Sequence, residues 1–203
     1  MKTLKKTIAL FLLGLTIIGC SPSSTAPLPT ACSTTGTDFQ NIYSTTLSSN
    51  ALYDDVTFID LVTHEYTFNM FATKSICSIG YQGNANLYAA SIPYTIEIED
   101  ITGVPFPVYS GNHIFNSAFT DYVTPTSAVN LVAGHTYKIK RKAPNYLGNI
   151  VNTTGRMCRF NSGGLPTAAS ITGGIMAITA SDFYGTGGPI PNYGIPYIDI
   201  SFN

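Results

Sequence analysis

Hydrophobic and polar residues alternate in many short runs along the last two thirds of the chain. A period of two places successive side chains on opposite faces of a strand, so each run predicts a strand with one buried face. Turn signals rich in glycine, asparagine and proline separate these runs, and no convincing amphipathic helix is apparent beyond the apolar run at the N-terminus. Many short strands joined by turns predict an all-β fold, a single antiparallel β-sandwich. The clearest runs cover 66–70, 77–81, 94–99, 136–140 and 198–202.

The N-terminus has a different pattern, in which three lysines precede a continuous apolar run over 8–18. About a dozen helical residues span roughly 18 Å, which is short of the ~30 Å hydrocarbon core of a membrane. A basic start followed by a short apolar run predicts a secretory signal rather than a membrane span.

The apolar run ends in Ile17-Ile18-Gly19-Cys20, which resembles the lipobox of bacterial lipoproteins. The resemblance implies that 1–19 is a signal peptide removed by a peptidase that accepts a small residue before the cut. It further implies that Cys20 becomes the lipidated first residue, so that the membrane is a partner through this lipid. The alternative is an ordinary signal peptide that happens to end near a cysteine.

A lipoprotein of this kind is expected in the cell envelope. Ser21, rather than an aspartate, follows the cysteine. By resemblance to sorting in bacteria with two membranes, this residue favours the outer membrane where the host has one.

Residues 20–37 are rich in serine, threonine and proline and carry no charge. Such a segment cannot bury a core, and its prolines keep it partly extended. In polyproline form it reaches up to about 50 Å. The sequence therefore predicts a tether over 20–37 and a β-sandwich domain over 38–203.

The run 131–139, Leu-Val-Ala-Gly-His-Thr-Tyr-Lys-Ile, is similar to a pattern in extracellular jelly-roll and related β-sandwich modules of bacteria. In that pattern a strand ends in a small-residue turn, and the next strand begins with a core aromatic. The segment 195–202 also looks like the closing strand of such modules. The resemblance implies a jelly-roll-like sandwich of unknown function and carries over no catalytic residue.

The formal net charge is −1, and removal of three signal-peptide lysines leaves seven basic and eleven acidic side chains. A nucleic-acid-binding domain usually shows a basic patch, so this balance argues against nucleic acid as a partner. The basic cluster at 138–142 is interpreted as a strand with an exposed cationic edge, which discourages aggregation. The alternative is a site for an anionic ligand.

Two pairs of carboxylates, Asp54 with Asp55 and Glu97 with Glu99, are candidates for glycoside hydrolysis. Alternation along a strand also explains the glutamates, as an outward polar row. The histidines lack metal-ligand spacing with each other or with cysteine, and neither a nucleophile elbow nor a phosphate loop occurs. The sequence predicts no metal, no cofactor and no catalytic residues; the three histidines are His64, His113 and His135.

The chain has thirteen tyrosines and no tryptophan. Exposed tyrosines stack on sugar rings or form contact patches for proteins. Four of them fall in loop-like contexts and are candidate ligand contacts: Tyr109, Tyr146, Tyr184 and Tyr193. The alternative is that they pack loops onto the core.

Three cysteines remain after Cys20, in a compartment that permits disulfides. Cys77 and Cys158 both lie in strand-like runs and are a possible disulfide, or else two free buried thiols. Cys32, in the expected tether, is then free or paired with either of the others.

These observations predict a membrane-anchored envelope lipoprotein whose β-sandwich is a non-catalytic binding module for a glycan or a protein. A structural subunit of an envelope complex is the alternative, which an exposed apolar patch would favour. A glycan hydrolase ranks last.

Overall fold

The computed structural model describes residues 32–59, 62–143, 154–160, 171–182 and 194–203. The helices are α1 (Asp38–Ser49) and α2 (Ala85–Ala89). The strands in these ranges are β1 (Tyr53–Ile59), β2 (Thr63–Met70), β3 (Lys74–Tyr81), β4 (Tyr94–Asp100), β5 (Phe106–His113), β6 (Asp121–Val123), β7 (Val129–Leu131), β8 (Thr136–Lys142), β9 (Thr154–Phe160), β10 (Ile171–Gly173), β11 (Met176–Asp182), β12 (Gly194–Pro196) and β13 (Asp199–Phe202).

The strands form antiparallel sheets, which confirms the all-β sandwich. One sheet has the order β10-β11-β2-β8-β4-β5. A second has the order β13-β3-β6, with β7 also paired to β3, and a third has the order β1-β9-β12. The first two face each other across the core: the Tyr66 hydroxyl of β2 donates to the Ile198 carbonyl at 2.8 Å, and the Tyr81 ring of β3 lies 5.3 Å from the Tyr94 ring of β4.

Strand β4 shows how the alternation builds this core. Its residues Tyr94, Ile96 and Ile98 are buried, whereas Glu97 and Glu99 lie on the opposite, solvent-facing side of the sheet. Because side chains alternate along a strand, a single local pattern sets both faces.

The basic cluster at 138–142 lies on β8, between β2 and β4 in the interior of the six-stranded sheet. The interpretation as an exposed edge strand is therefore wrong. The three lysines point outward and pair with glutamates on the two neighbouring strands, β2 and β4. An edge strand would have such partners on one side only. These pairs are Lys138–Glu65 at 3.1 Å, Lys140–Glu99 at 2.8 Å and Lys142–Glu97 at 2.5 Å.

Arg141 of β8 points inward instead and is fully buried. Its guanidinium carbon lies 5.1 Å from the ring centroid of Tyr81 and 5.1 Å from that of Tyr94. Since these rings belong to opposite sheets, the cation–π contacts bridge the sandwich.

Helix α1 corrects the expectation of no helix beyond the signal. The Thr37 side chain caps it by accepting from the Gln40 amide at 3.0 Å. Phe39, Ile42 and Tyr43 are buried on one face, and the helix contacts β1, β10, β11 and β13.

Residues 32–37 are also held against the domain, although the sequence assigns them to the tether. Cys32 forms a disulfide with Cys77 of β3. The Thr37 hydroxyl donates to the buried Asp199 carboxylate of β13 at 2.7 Å. The boundary between tether and domain therefore lies before Cys32 rather than at Asp38.

None of the helices in the described ranges is long and apolar enough to cross a membrane.

Candidate binding site

The described tyrosines lie mainly inside the sandwich rather than on its surface. Tyr109, the candidate ligand contact within the described ranges, is 3% exposed. Its hydroxyl lies 2.6 Å from His113 Nε2, so the prediction that it contacts a ligand is wrong. Tyr146, Tyr184 and Tyr193 lie outside the described residues, as does the lipidation residue, Cys20.

The disulfide joins Cys32 to Cys77, with Cα atoms 5.7 Å apart. The possible pairing of Cys77 with Cys158 is therefore wrong, since the Cys77 sulfur is already bonded to Cys32. Cys77 is on β3, and Cys158 is on β9 between β1 and β12. Cys158 is a free, buried thiol, and burial raises its pKa to about 12, so it stays protonated and unreactive near neutral pH.

The candidate catalytic carboxylates are all ion-paired. Asp54 and Asp55 are held by Arg159 and Arg156, each at 2.7 Å. Glu97 and Glu99 bond to lysines of β8, as described above. For Asp55, burial alone would raise the pKa, but hydrogen bonds from Arg156 and the Tyr43 hydroxyl lower it. This environment keeps the Asp55 carboxylate charged and gives it a structural role.

The histidines do not converge. His135 Nδ1 lies 2.6 Å from the buried Asp100 carboxylate. His64 and His113 are buried at other places, and burial lowers the pKa of His113. Within the described ranges, His, Cys, Asp and Glu side chains form no group of three that could hold a metal.

An open groove lies beside the disulfide, on β3. Along one side of β3 the pairing partner changes from β6, opposite 79–81, to β7, opposite 74–76. The intervening residues 124–128 leave the sheet as a loop opposite Cys77 and Ser78. This loop and the disulfide enclose a groove of about 730 Å³, whose other lining residues include Ser75, Ile76 and Asn203.

The groove has two fixed walls. The disulfide forms one, and Ser78 Oγ lies 3.2 Å from Cys32 Sγ. The opposite wall is held by Tyr109, whose hydroxyl accepts from the Thr126 amide at 3.1 Å. Gly111 makes this arrangement possible, because a Cβ there would lie 2.1 Å from the Tyr109 hydroxyl. Tyr109 thus positions the groove loop from inside the core.

The described side chains that line the groove are neutral. They combine hydroxyl and amide groups with the apolar side chains of Ile76, Pro125 and Ala128, and none of these described side chains is acidic or basic. Such a surface offers hydrogen bonds and apolar contacts but no activated acid, base or nucleophile. The signal in the sequence was the uncharged run Thr124-Pro125-Thr126-Ser127-Ala128 between two short strands, a segment too ordinary in composition to stand out.

A smaller pocket of about 190 Å³ lies on the outer face of the six-stranded sheet, beside Glu65, Lys138 and Asp182. Lys138 pairs with Glu65 through Oε1 of the glutamate, while the buried Oε2 has no hydrogen-bond partner among the residues that the structure describes. The pocket has room for a few water molecules, which are the usual donors to such an oxygen. We assign it no ligand.

The chain matches no protein-family model and no curated protein.

Proposed function

We propose that the chain is a lipid-anchored envelope protein whose β-sandwich binds a protein partner without chemical turnover. The observation that carries this proposal is the uncharged groove between the Cys32–Cys77 disulfide and the loop 124–128. Its volume of about 730 Å³ falls within the usual range of ligand sites. A groove with fixed walls loses little entropy when a ligand binds, which favours recognition.

The chemistry of the groove favours a polypeptide over a sugar. Sugars are commonly held by stacking on exposed aromatic faces, and none of the described residues that line the groove is aromatic. Tyr109, the one candidate that is described, lies in the core. An uncharged, extended peptide segment matches the hydroxyl and amide groups at the rim and the apolar groups beside them.

The absence of turnover is supported by the state of the candidate acids. The carboxylates Asp54, Asp55, Glu97 and Glu99 each face an arginine or lysine at 2.8 Å or less. A general acid of a glycosidase needs a raised pKa, whereas hydrogen bonds from Arg156 and Tyr43 lower the pKa of Asp55.

The test uses the full chain in the envelope of cells that produce it. A photo-crosslinking residue replaces Ser127 in the groove loop, and in the control it replaces Ser110, an exposed residue of β5 on another face. We expect a discrete protein adduct from position 127 only. Adding Ala128→Arg should reduce that adduct at least tenfold, because a guanidinium in the groove would be left without a partner charge.

The matched control for the arginine is Ser110→Arg, which should leave the adduct unchanged while both variants keep the wild-type thermal unfolding. Equal crosslinking from both positions, or an adduct that survives Ala128→Arg, would contradict the groove as the site.

The lipid anchor is tested in the same cells by acyl labelling. Cys20→Ser should abolish the labelling, and persistent labelling would contradict the lipobox interpretation.

A further inference from the structure

Three turns meet at one end of the sandwich. The Met70 amide donates to the His135 carbonyl at 3.0 Å, which joins the turn after β2 to the turn before β8. The Ile101 amide donates to the Thr136 carbonyl at 2.8 Å, which adds the turn between β4 and β5. These bonds fix the three turns, 71–73, 101–105 and 132–135, as one rigid end.

This end presents large apolar side chains to solvent. Val104 is 89% exposed, Phe71 54%, Phe106 53% and Val132 45%. We call these four residues the apolar tip. The three turns contain no aspartate, glutamate, lysine or arginine, and the adjacent Asp100 is buried and bonded to His135. Exposed apolar groups on a rigid, uncharged end mark an interaction surface.

The N-terminal segment of the folded domain, 32–38, lies close to this end. Ser33 and residues 35–38 line a small pocket together with Lys74 and Ile175. The Ile175 carbonyl accepts from the Phe71 amide at 2.7 Å. The disulfide fixes Cys32 to Cys77, three residues along β3 from Lys74, or about 10 Å by the strand rise. The chain that leads to Cys20 therefore starts near the apolar tip.

We propose that the apolar tip docks into the surface of the bilayer that holds the lipid on Cys20. The inference rests on the proposed anchoring. Residues 20–31 reach at most about 40 Å when extended, so the membrane lies within range of the tip. Attachment by a short chain makes docking intramolecular, and a weak interfacial affinity then suffices because the effective concentration is high.

A lipid surface fits this end better than a protein or a second copy of the chain. Three of the side chains stand on separate turns and Phe106 stands at the start of β5. Such separate projections insert between lipid headgroups, whereas a protein interface of useful size needs a continuous, complementary patch. The tip also lacks the charges that would set the register of a protein partner. Since no charge is involved, docking should be insensitive to salt.

The experiment uses the full acylated chain reconstituted in vesicles of phosphatidylethanolamine with a minor share of phosphatidylglycerol. Val104→Cys carries a bimane label, and the quencher is a lipid brominated on its acyl chains. We expect at least twofold quenching at position 104, unchanged by high salt. The control label at Ile114→Cys, an exposed residue just past β5 at the other end of that strand, should show almost none.

The triple change Phe71→Ser, Phe106→Ser and Val132→Ser should reduce quenching at position 104 to the control level. Ile114→Ser with Phe119→Ser, which removes exposed apolar groups elsewhere, should leave it unchanged. If the chain is anchored but the label at position 104 is unquenched, docking is overturned while anchoring stands. The same holds if that label is quenched as strongly in the triple variant as with the wild-type tip.

Acyl labelling of Cys20 is measured on the same preparation, and its absence would overturn anchoring and docking together. The tip label could stay unquenched in pure lipid vesicles and yet be protected from an aqueous quencher in native envelopes. That result would assign the tip to a protein partner and overturn the lipid proposal. Groove crosslinking is independent of both results.

Discussion

At the scale of single residues, Asp199 links the N-terminal segment to the sheet. Its buried carboxylate accepts from the Thr37 hydroxyl at 2.7 Å, the Tyr122 hydroxyl at 2.6 Å and the side-chain amide of Gln40 at 2.8 Å. Tyr122 reaches it by lying across Gly80, where a Cβ would come within 2.5 Å of the ring. One carboxylate therefore holds the helix cap and a neighbouring strand together.

This carboxylate predicts a pH dependence of stability. Burial raises the pKa of Asp199 although its hydrogen bonds lower it. A folded-state pKa above the unfolded value, about 3.9, means that the folded protein binds the proton more tightly. That contribution to stability is complete below the unfolded pKa and is lost as pH rises through the folded pKa.

Wild-type protein should therefore lose stability relative to Asp199→Asn as the pH rises above about 4. Urea unfolding of both proteins across this range measures the difference. Parallel pH profiles would show that ionisation of Asp199 has no such cost.

At the scale of elements, the segment 32–43 closes the side of the sandwich between β10 and β13. The disulfide fixes its start, and the apolar face of α1 fixes its end through Phe39, Ile42 and Tyr43. Asp38, in the first turn of α1, accepts from the Ile175 amide at 3.1 Å. Covalent, polar and apolar contacts thus secure one short segment.

Loss of the disulfide should be costly. The crosslink has a sequence separation of 45, and its removal by Cys32→Ser with Cys77→Ser should lower the free energy of unfolding by about 4 kcal/mol in the loop-entropy estimate. The control Cys158→Ala keeps the crosslink and should cost about 1 kcal/mol. Chemical denaturation measures both, and a non-reduced peptide map that joined Cys77 to Cys158 would contradict the assignment.

At the scale of the whole molecule, the domain should begin at Cys32 rather than at Asp38. A protein covering 38–203 lacks the disulfide, the Thr37 cap of α1 and the Thr37–Asp199 bond. A cap alone contributes about 1 kcal/mol.

The 32–203 protein should therefore unfold at a clearly higher urea concentration than the 38–203 protein. Both should give a β-dominated far-ultraviolet circular dichroism spectrum with a minor helical part, since both contain α1. Equal midpoints would show that residues 32–37 add nothing to the fold.

The sequence by itself determined the strands that carry a clean alternation. In β8, Tyr137 and Ile139 point inward while Lys138 and Lys140 point outward, as the period of two predicts. This information is local, because neighbouring residues of a strand necessarily face opposite sides. The same locality predicts the signal peptide and the lipobox at Cys20, which stay predictions.

Only the tertiary structure decided which elements are neighbours. Helix α1 has only 12 residues, many of them serine, threonine and asparagine, which favour turns and caps over helix interiors. It is stabilised by packing rather than by propensity, so the sequence did not reveal it. Cysteine spacing does not fix pairing, and Cys32 meets Cys77 because the segment before α1 folds back across β3. Tyr109 looks like a loop residue in sequence, yet it is buried and holds the groove loop through Thr126. Burial, pairing and grooves depend on contacts between residues far apart in the chain, which local patterns do not encode.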